Sequence, residues 1–198
     1  MFIQVMQGKC TRPDEMRALS QEWVEQSGPG ADGWLGGTYG FTDDDTFFGV
    51  IRFTDRDSAM ANSARPETSA FAERMGALFE GSVEFHDCDD VTLLFDGGSD
   101  EAGFVQVIRG KVDDPARLRA VMTNPAQALR EMRPDILGGT LAIEPDGTFT
   151  ETIAFTDEES ARSGETAEPP ADVAGELAWA MQGATFYDLR HPWFESAG

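Results

Sequence analysis

The chain has 198 residues, 40% of them apolar and 26% charged, which excludes a disordered tail or a fibre and allows one or two domains with cores of useful size. Acids number 36 against 15 Lys and Arg, for a formal charge of −21. A surface this negative repels phosphate backbones and anionic lipid, so neither nucleic acid nor a membrane is expected as a partner.

No run approaches the roughly 18 apolar residues of a membrane-spanning helix. The start, MFIQVMQGKC, shows no basic n-region followed by an apolar h-region. Cys10 and Cys88 are the only cysteines and form no CxxC pair, so free thiols in a reducing cytoplasm are expected. His86 and His191 are the only histidines. A zinc site would have to gather nearly all of these scattered residues, so no metal and no cofactor is expected.

Residues 2–8 read as a first strand with apolar side chains on both faces. A helix follows, with Thr11 as candidate N-cap, Asp14 and Glu15 in its first turn, and Met16, Leu19 and Trp23 on one stripe. Gly28-Pro29-Gly30 ends it. Residues 34–41 and 46–54 form two strands around the Asp43-Asp44-Asp45 turn. A second helical region starts near Asp55, breaks at Pro66 and continues with Phe71, Met75, Leu78 and Phe79 in helical spacing. Residues 82–87 give a last strand, and 96–103 read as an exposed connector rich in Gly, Ser and acids.

The pattern then begins again. Shifted by 102 residues, Phe2-Ile3-Gln4-Val5 meets Phe104-Val105-Gln106-Val107, Gly8-Lys9 meets Gly110-Lys111, and Leu35-Gly36-Gly37-Thr38 meets Leu137-Gly138-Gly139-Thr140. Phe53-Thr54-Asp55 likewise meets Phe155-Thr156-Asp157, and the register is read as holding without a gap. The period is the size of a small domain, far longer than a solenoid repeat. The expected fold is α+β: two ferredoxin-like βαββαβ repeats, residues 1–95 and 104–195, each a four-stranded antiparallel sheet with both helices on one face. Phe47, Ile51 and Phe53 face one way and Phe48 and Val50 the other, so both sheet faces are apolar. At ~25 cal/mol per Å2 a wet second face costs many kcal/mol, and sheet-to-sheet packing of the two repeats would remove that cost.

This element order, duplicated with its FxQVxxGK and LGGT repeats, resembles the dimeric α/β-barrel superfamily, in particular the antibiotic biosynthesis monooxygenases, with the usual homodimer fused into one chain. The superfamily also includes heme-degrading monooxygenases, muconolactone isomerases, chlorite dismutases and stress-responsive proteins, so the fold does not choose the chemistry. The resemblance implies a ligand pocket between sheet and helices and a small hydrophobic or aromatic partner, the chain acting as a monomer or weak homodimer.

Polar groups on apolar strands are the first site candidates. Gln4 and its repeat Gln106 could bind a ligand carbonyl or hydroxyl, or be satisfied internally. Arg52, replaced by Ala154 in the second copy, could stabilise an oxyanion, or form a salt bridge or a surface charge. His86, aligned with Asp188, could act as a general base or heme ligand, or be an exposed residue without a role. Asn62, at the break in the second helix, could polarise a carbonyl; it and Arg65 are replaced by Gly164 and Ala167. Trp23 and Trp34 could line a cavity or belong to the core. Gly36-Gly37 lie within a strand and lack phosphate-loop spacing, so a bulge or close packing explains them better.

Arg52, Asn62, Arg65 and His86 all fall in copy one, which places an expected site there, with copy two as scaffold. A cofactor-independent monooxygenase or isomerase acting on an aromatic or polyketide-like substrate is the leading expectation. Non-catalytic ligand binding is the alternative, and heme handling ranks third because the charge disfavours capture of propionates.

Overall fold

The computed structural model describes residues 1–124, 126–166 and 171–197, with side chains omitted at 126–128 and 171–173. The first repeat contains β1 (Phe2–Lys9), α1 (Pro13–Gln26), β2 (Trp34–Phe41), β3 (Thr46–Phe53), α2 (Arg56–Ser63), α3 (Pro66–Gly76), β4 (Glu84–Cys88) and β5 (Asp90–Leu94). The second contains β6 (Phe104–Lys111), α4 (Pro115–Thr123), α5 (Ala126–Met132), β7 (Ile136–Ile143), β8 (Thr148–Phe155), α6 (Glu158–Glu165), α7 (Ala171–Ala180), β9 (Thr185–Leu189) and β10 (Trp193–Ser196). The βαββαβ order therefore occurs twice, as the sequence implies.

Each sheet has five antiparallel strands where four were expected, because each repeat ends in a short additional strand that joins the other repeat's sheet. The orders are β10-β2-β3-β1-β4 and β5-β7-β8-β6-β9. The chain accordingly divides into one compact unit of Met1–Asp89 with Trp193–Gly198 and another of Asp90–Pro192. The unit boundary falls ahead of β5 and not at the 96–103 connector, and that connector holds no helix or strand. Gly97 packs so closely on β7 that a Cβ at Gly138 would lie 1.5 Å from its carbonyl oxygen.

Helix starts follow their local chemistry. Asp55 and Asp157 cap α2 and α6 by accepting from the backbone N–H of Ser58 (2.8 Å) and Ser160 (2.7 Å). Thr11 does not cap α1. Arg12 holds the N-cap position without a side-chain bond, Pro13 starts the helix, and Thr11 donates to Glu80 at 2.6 Å. Pro66 opens α3 in the same way, which is why the second helical region is two helices. Gly36 adopts φ +138° at the register shift between Trp34 and Gly36, so it is a bulge residue.

In the first unit, alternation puts Phe2, Gln4 and Met6 of β1, Tyr39 of β2 and Phe47, Gly49, Ile51 and Phe53 of β3 on the helix side. Met16, Leu19 and Trp23 of α1 pack against them as the expected stripe. The opposite face, carrying Ile3, Val5, Phe48 and Val50, is buried as well.

The register of the last strand corrects the end-to-end alignment. Gln4 sits opposite Asp87 and Gln106 opposite Asp188, so Asp188 answers to Asp87, and His86 to Tyr187. One residue is lost in the second copy before this strand.

Candidate functional site

A cavity of about 690 Å3 opens within the first unit, between the helix side of the sheet and helices α1, α2 and α3. That lies within the ~300–1,000 Å3 of small-molecule sites. Met6, Tyr39, Ile51 and Phe53 form its floor. Trp23, Phe71, Met75 and Phe79 form apolar walls, and Phe85, 58% exposed on the edge strand β4, stands at its rim. Tyr39 lies flat along the sheet because nothing larger than hydrogen stands at Gly37, where a Cβ would come within 2.3 Å of its hydroxyl oxygen. Burial pushes the Tyr39 phenol well above its ordinary range, so it is a neutral hydroxyl.

Few polar groups face this space. The amide of Gln4 donates to Asp87 Oδ1 at 2.9 Å. Asn62 is 8% exposed, and its Oδ1 accepts from Arg65 Nη1 and Thr68 Oγ1, both at 3.3 Å. With the oxygen taken and no bond to Nδ2 among the described residues, Asn62 presents its NH2 as a donor. Arg65 also donates to the Ser27 carbonyl at 2.9 Å, tying the α2–α3 break to the turn after α1. Ser20 of α1 and the hydroxyls of Ser63, Thr68 and Ser69 also line it, and Glu73 at the exposed end is the one acidic or basic side chain lining the cavity among the described residues.

The cavity thus brings together Gln4, Trp23 and Asn62 of the residues singled out from sequence. Arg52, His86 and Trp34 are not brought there. Arg52 lies between Ile51 and Phe53 and therefore points to the opposite face, where Nη1 donates to Thr38 Oγ1 at 3.1 Å. His86 alternates with Phe85 in the same way and points from the cavity's face. Trp34 is a core residue, its ring edge-on to Trp23 at 5.1 Å and its buried Nε1 without a hydrogen-bond partner among the described residues. Gln106 belongs to the second unit, where it donates to Asp188 at 3.1 Å and Glu165 at 3.4 Å. Tyr39, Ser20 and Glu73 were not foreseen; a serine inside the apolar stripe of α1 was the available signal for Ser20.

The second unit does not repeat this lining. Leu141 and Met122 replace Tyr39 and Ser20 and are core residues. Asn62 gives way to Gly164, and a Cβ there would meet the Arg133 guanidinium at 2.0 Å. Arg133 is held by Asp135 at 2.7 Å. Ala167, the counterpart of Arg65, lies outside the described residues. Among the described residues, no group of three or more His, Cys, Asp or Glu could hold a metal ion, and no helix is long and apolar enough to cross a membrane.

Comparison with solved structures places this architecture. A protein solved as a "putative monooxygenase" from Fusobacterium nucleatum superimposes with TM-score 0.76 over 100% of this chain and 94% of its own, at 13% identity. Another of the same description from Lactobacillus acidophilus gives TM-score 0.71 over 95% and 92%, at 11% identity. An "anthrone oxidase-like protein" gives 0.69 over 100% and 93%, at 10% identity. The chain has the antibiotic biosynthesis monooxygenase fold, in two copies. No family model matches this chain, and no curated protein matches it in sequence. At such identities the likeness shows the fold alone.

Proposed function

We propose that this protein binds a neutral, flat, aromatic or polyketide-like molecule in the first-unit cavity and oxygenates it with molecular oxygen, without a bound cofactor. The observation that supports this reading is a cavity of about 690 Å3 walled by aromatic rings, with the Asn62 amide held in the donor sense at one side. With no basic side chain lining it among the described residues, the cavity favours uncharged ligands over carboxylates and phosphates.

The chemistry follows from that donor. A ketone oxygen accepting from Asn62 Nδ2 acidifies a CH2 conjugated with it through the ring, because the resulting anion's charge falls on the same oxygen. The proton leaves to Glu73 or to water at the rim. The anion gives one electron to oxygen, the two radicals join in a carbon–oxygen bond, and protonation yields a hydroperoxide. Loss of water then leaves a second carbonyl, so CH2 and O2 become C=O and H2O. Asn62 takes the oxyanion role first considered for Arg52.

Oxygen uptake with anthrone as probe tests the proposal. The expected result is uptake above buffer with anthraquinone as product, and a fall of about 100-fold in kcat for Asn62→Ala. Anthrone bound without oxygen uptake overturns the oxygenase and leaves a binding protein. Absence of anthrone binding overturns the ligand reading of the cavity.

A further inference from the structure

We propose that Trp193 is a specificity-determining positioning residue of this cavity: its indole N–H fixes Ser20 as a hydrogen-bond acceptor, so the cavity selects ligands that carry a hydroxyl donor. The inference rests on the ligand reading of the cavity given above.

Ser20 Oγ has one proton and two lone pairs. The proton goes to the carbonyl of Arg17, one turn back in α1, at 2.8 Å. Trp193 Nε1 donates to one lone pair at 3.0 Å. What Ser20 retains toward the cavity it lines is the second lone pair. Asn62 is fixed in the opposite sense, as a donor, by Arg65 and Thr68. Asn62 and Ser20 thus offer a fixed donor and a fixed acceptor from α2 and α1, matching a ligand with both a carbonyl and a hydroxyl, while Ser63, Thr68 and Ser69 line the α2–α3 side with hydroxyls that donate to Ala59, Asn62 and Arg65.

Trp193 is held firmly enough to impose this. Its ring stacks on Tyr39 at 5.6 Å and on Phe41 at 6.1 Å, and the Arg17 guanidinium lies over it at 4.8 Å. It is 8% exposed and arrives on β10, paired with Tyr39 of β2. The last strand of the chain thus places a donor behind Ser20, one layer back from a cavity whose lining comes from the first repeat. At the equivalent place on β5 stands Thr92, and Met122 replaces Ser20, so the arrangement occurs once.

The full chain is titrated by calorimetry with 6-hydroxy-1-tetralone, 6-methoxy-1-tetralone and 5,6,7,8-tetrahydro-2-naphthol. The first should bind about tenfold tighter than the methoxy ketone. Trp193→Phe keeps a stacked ring but removes the N–H, and should bring that ratio below about threefold, as should Ser20→Ala, while Ser20→Thr retains it. The preference for the hydroxy ketone over the tetrahydronaphthol, set by Asn62, should be unchanged in all three variants, which a general loosening of the fold would not leave intact. Should Trp193→Phe fail to fold, Trp193→Met, which also lacks a donor, takes its place. A hydroxyl preference that survives loss of the N–H overturns the proposal, as does equal affinity for the two ketones in the unaltered protein. No binding by any of the three probes overturns the cavity reading itself.

Discussion

Gln4 and Asp87 face each other across β1 and β4, and the Gln4 amide donates to the Asp87 carboxylate at 2.9 Å. The second unit repeats the pair as Gln106 and Asp188 at 3.1 Å, although the surrounding charges were rebuilt. Arg56 lies 3.7 Å from Asp87 in the first unit, whereas Arg162 of α6 bonds Asp188 in the second. Gln4→Leu should lower stability by about 1 kcal/mol, since water can partly replace the bond. Gln106→Leu should cost about 2 kcal/mol, because Gln106 is 5% exposed and serves two carboxylates. Thermal melts of the two variants compare them directly, and equal losses would contradict the burial argument.

Glu151 stands on the helix side of β8, at the position that Gly49 holds in the first unit, opposite Ile108 and Leu141. It is 3% exposed, its Oε2 has no partner among the described residues, and burial pushes its carboxyl up to about 7 from 4.5. The folded state therefore holds this proton more tightly than the unfolded chain does. The penalty is absent below pH 4.5, grows as pH rises to about 7, and is constant above that. Glu151→Gln should stabilise the protein by about 3 kcal/mol at pH 8 and by under about 1 kcal/mol at pH 5. Denaturant titrations at the two pH values measure the difference; a gain independent of pH would show that Glu151 does not titrate in this range.

Gly36→Ala should loosen β10. The residue has φ +138°, and a Cβ there would lie 2.5 Å from the Glu195 carbonyl on the strand paired with it. A cost of about 2 kcal/mol is expected from the strained backbone, with faster hydrogen exchange at the β10 amides than at β1. Uniform exchange in the two strands would count against local loosening.

Arg52→Ala should lower the melting temperature through loss of its bond to Thr38 at 3.1 Å. Its effect on affinity for 6-hydroxy-1-tetralone should stay within about twofold, because its side chain leaves the sheet on the face away from the cavity. A tenfold loss of affinity would restore Arg52 to the site.

The sequence by itself determined the duplication, the element order and the two-sided apolar strands. These are local or repeating properties: hydrophobic period, turn residues and helix breaks such as Pro66 recur in the two copies, and they also located Asn62 at an interruption beside the cavity. Only the tertiary structure decided which side of each strand meets the helices. Alternation separates Arg52 from Ile51 and His86 from Phe85 but gives both faces the same apolar character, so it does not say which face the helices cover. Strand exchange was equally out of reach. Asp90–Leu94 and Trp193–Ser196 are short, and their partners, β7 and β2, lie far away in the chain. Pairing at that separation is fixed by the edges that the finished sheets leave open, and no periodicity within five residues records it. Trp193 therefore reaches Ser20, behind the cavity, by topology, while Trp23 reaches the cavity wall by its place on a helix stripe.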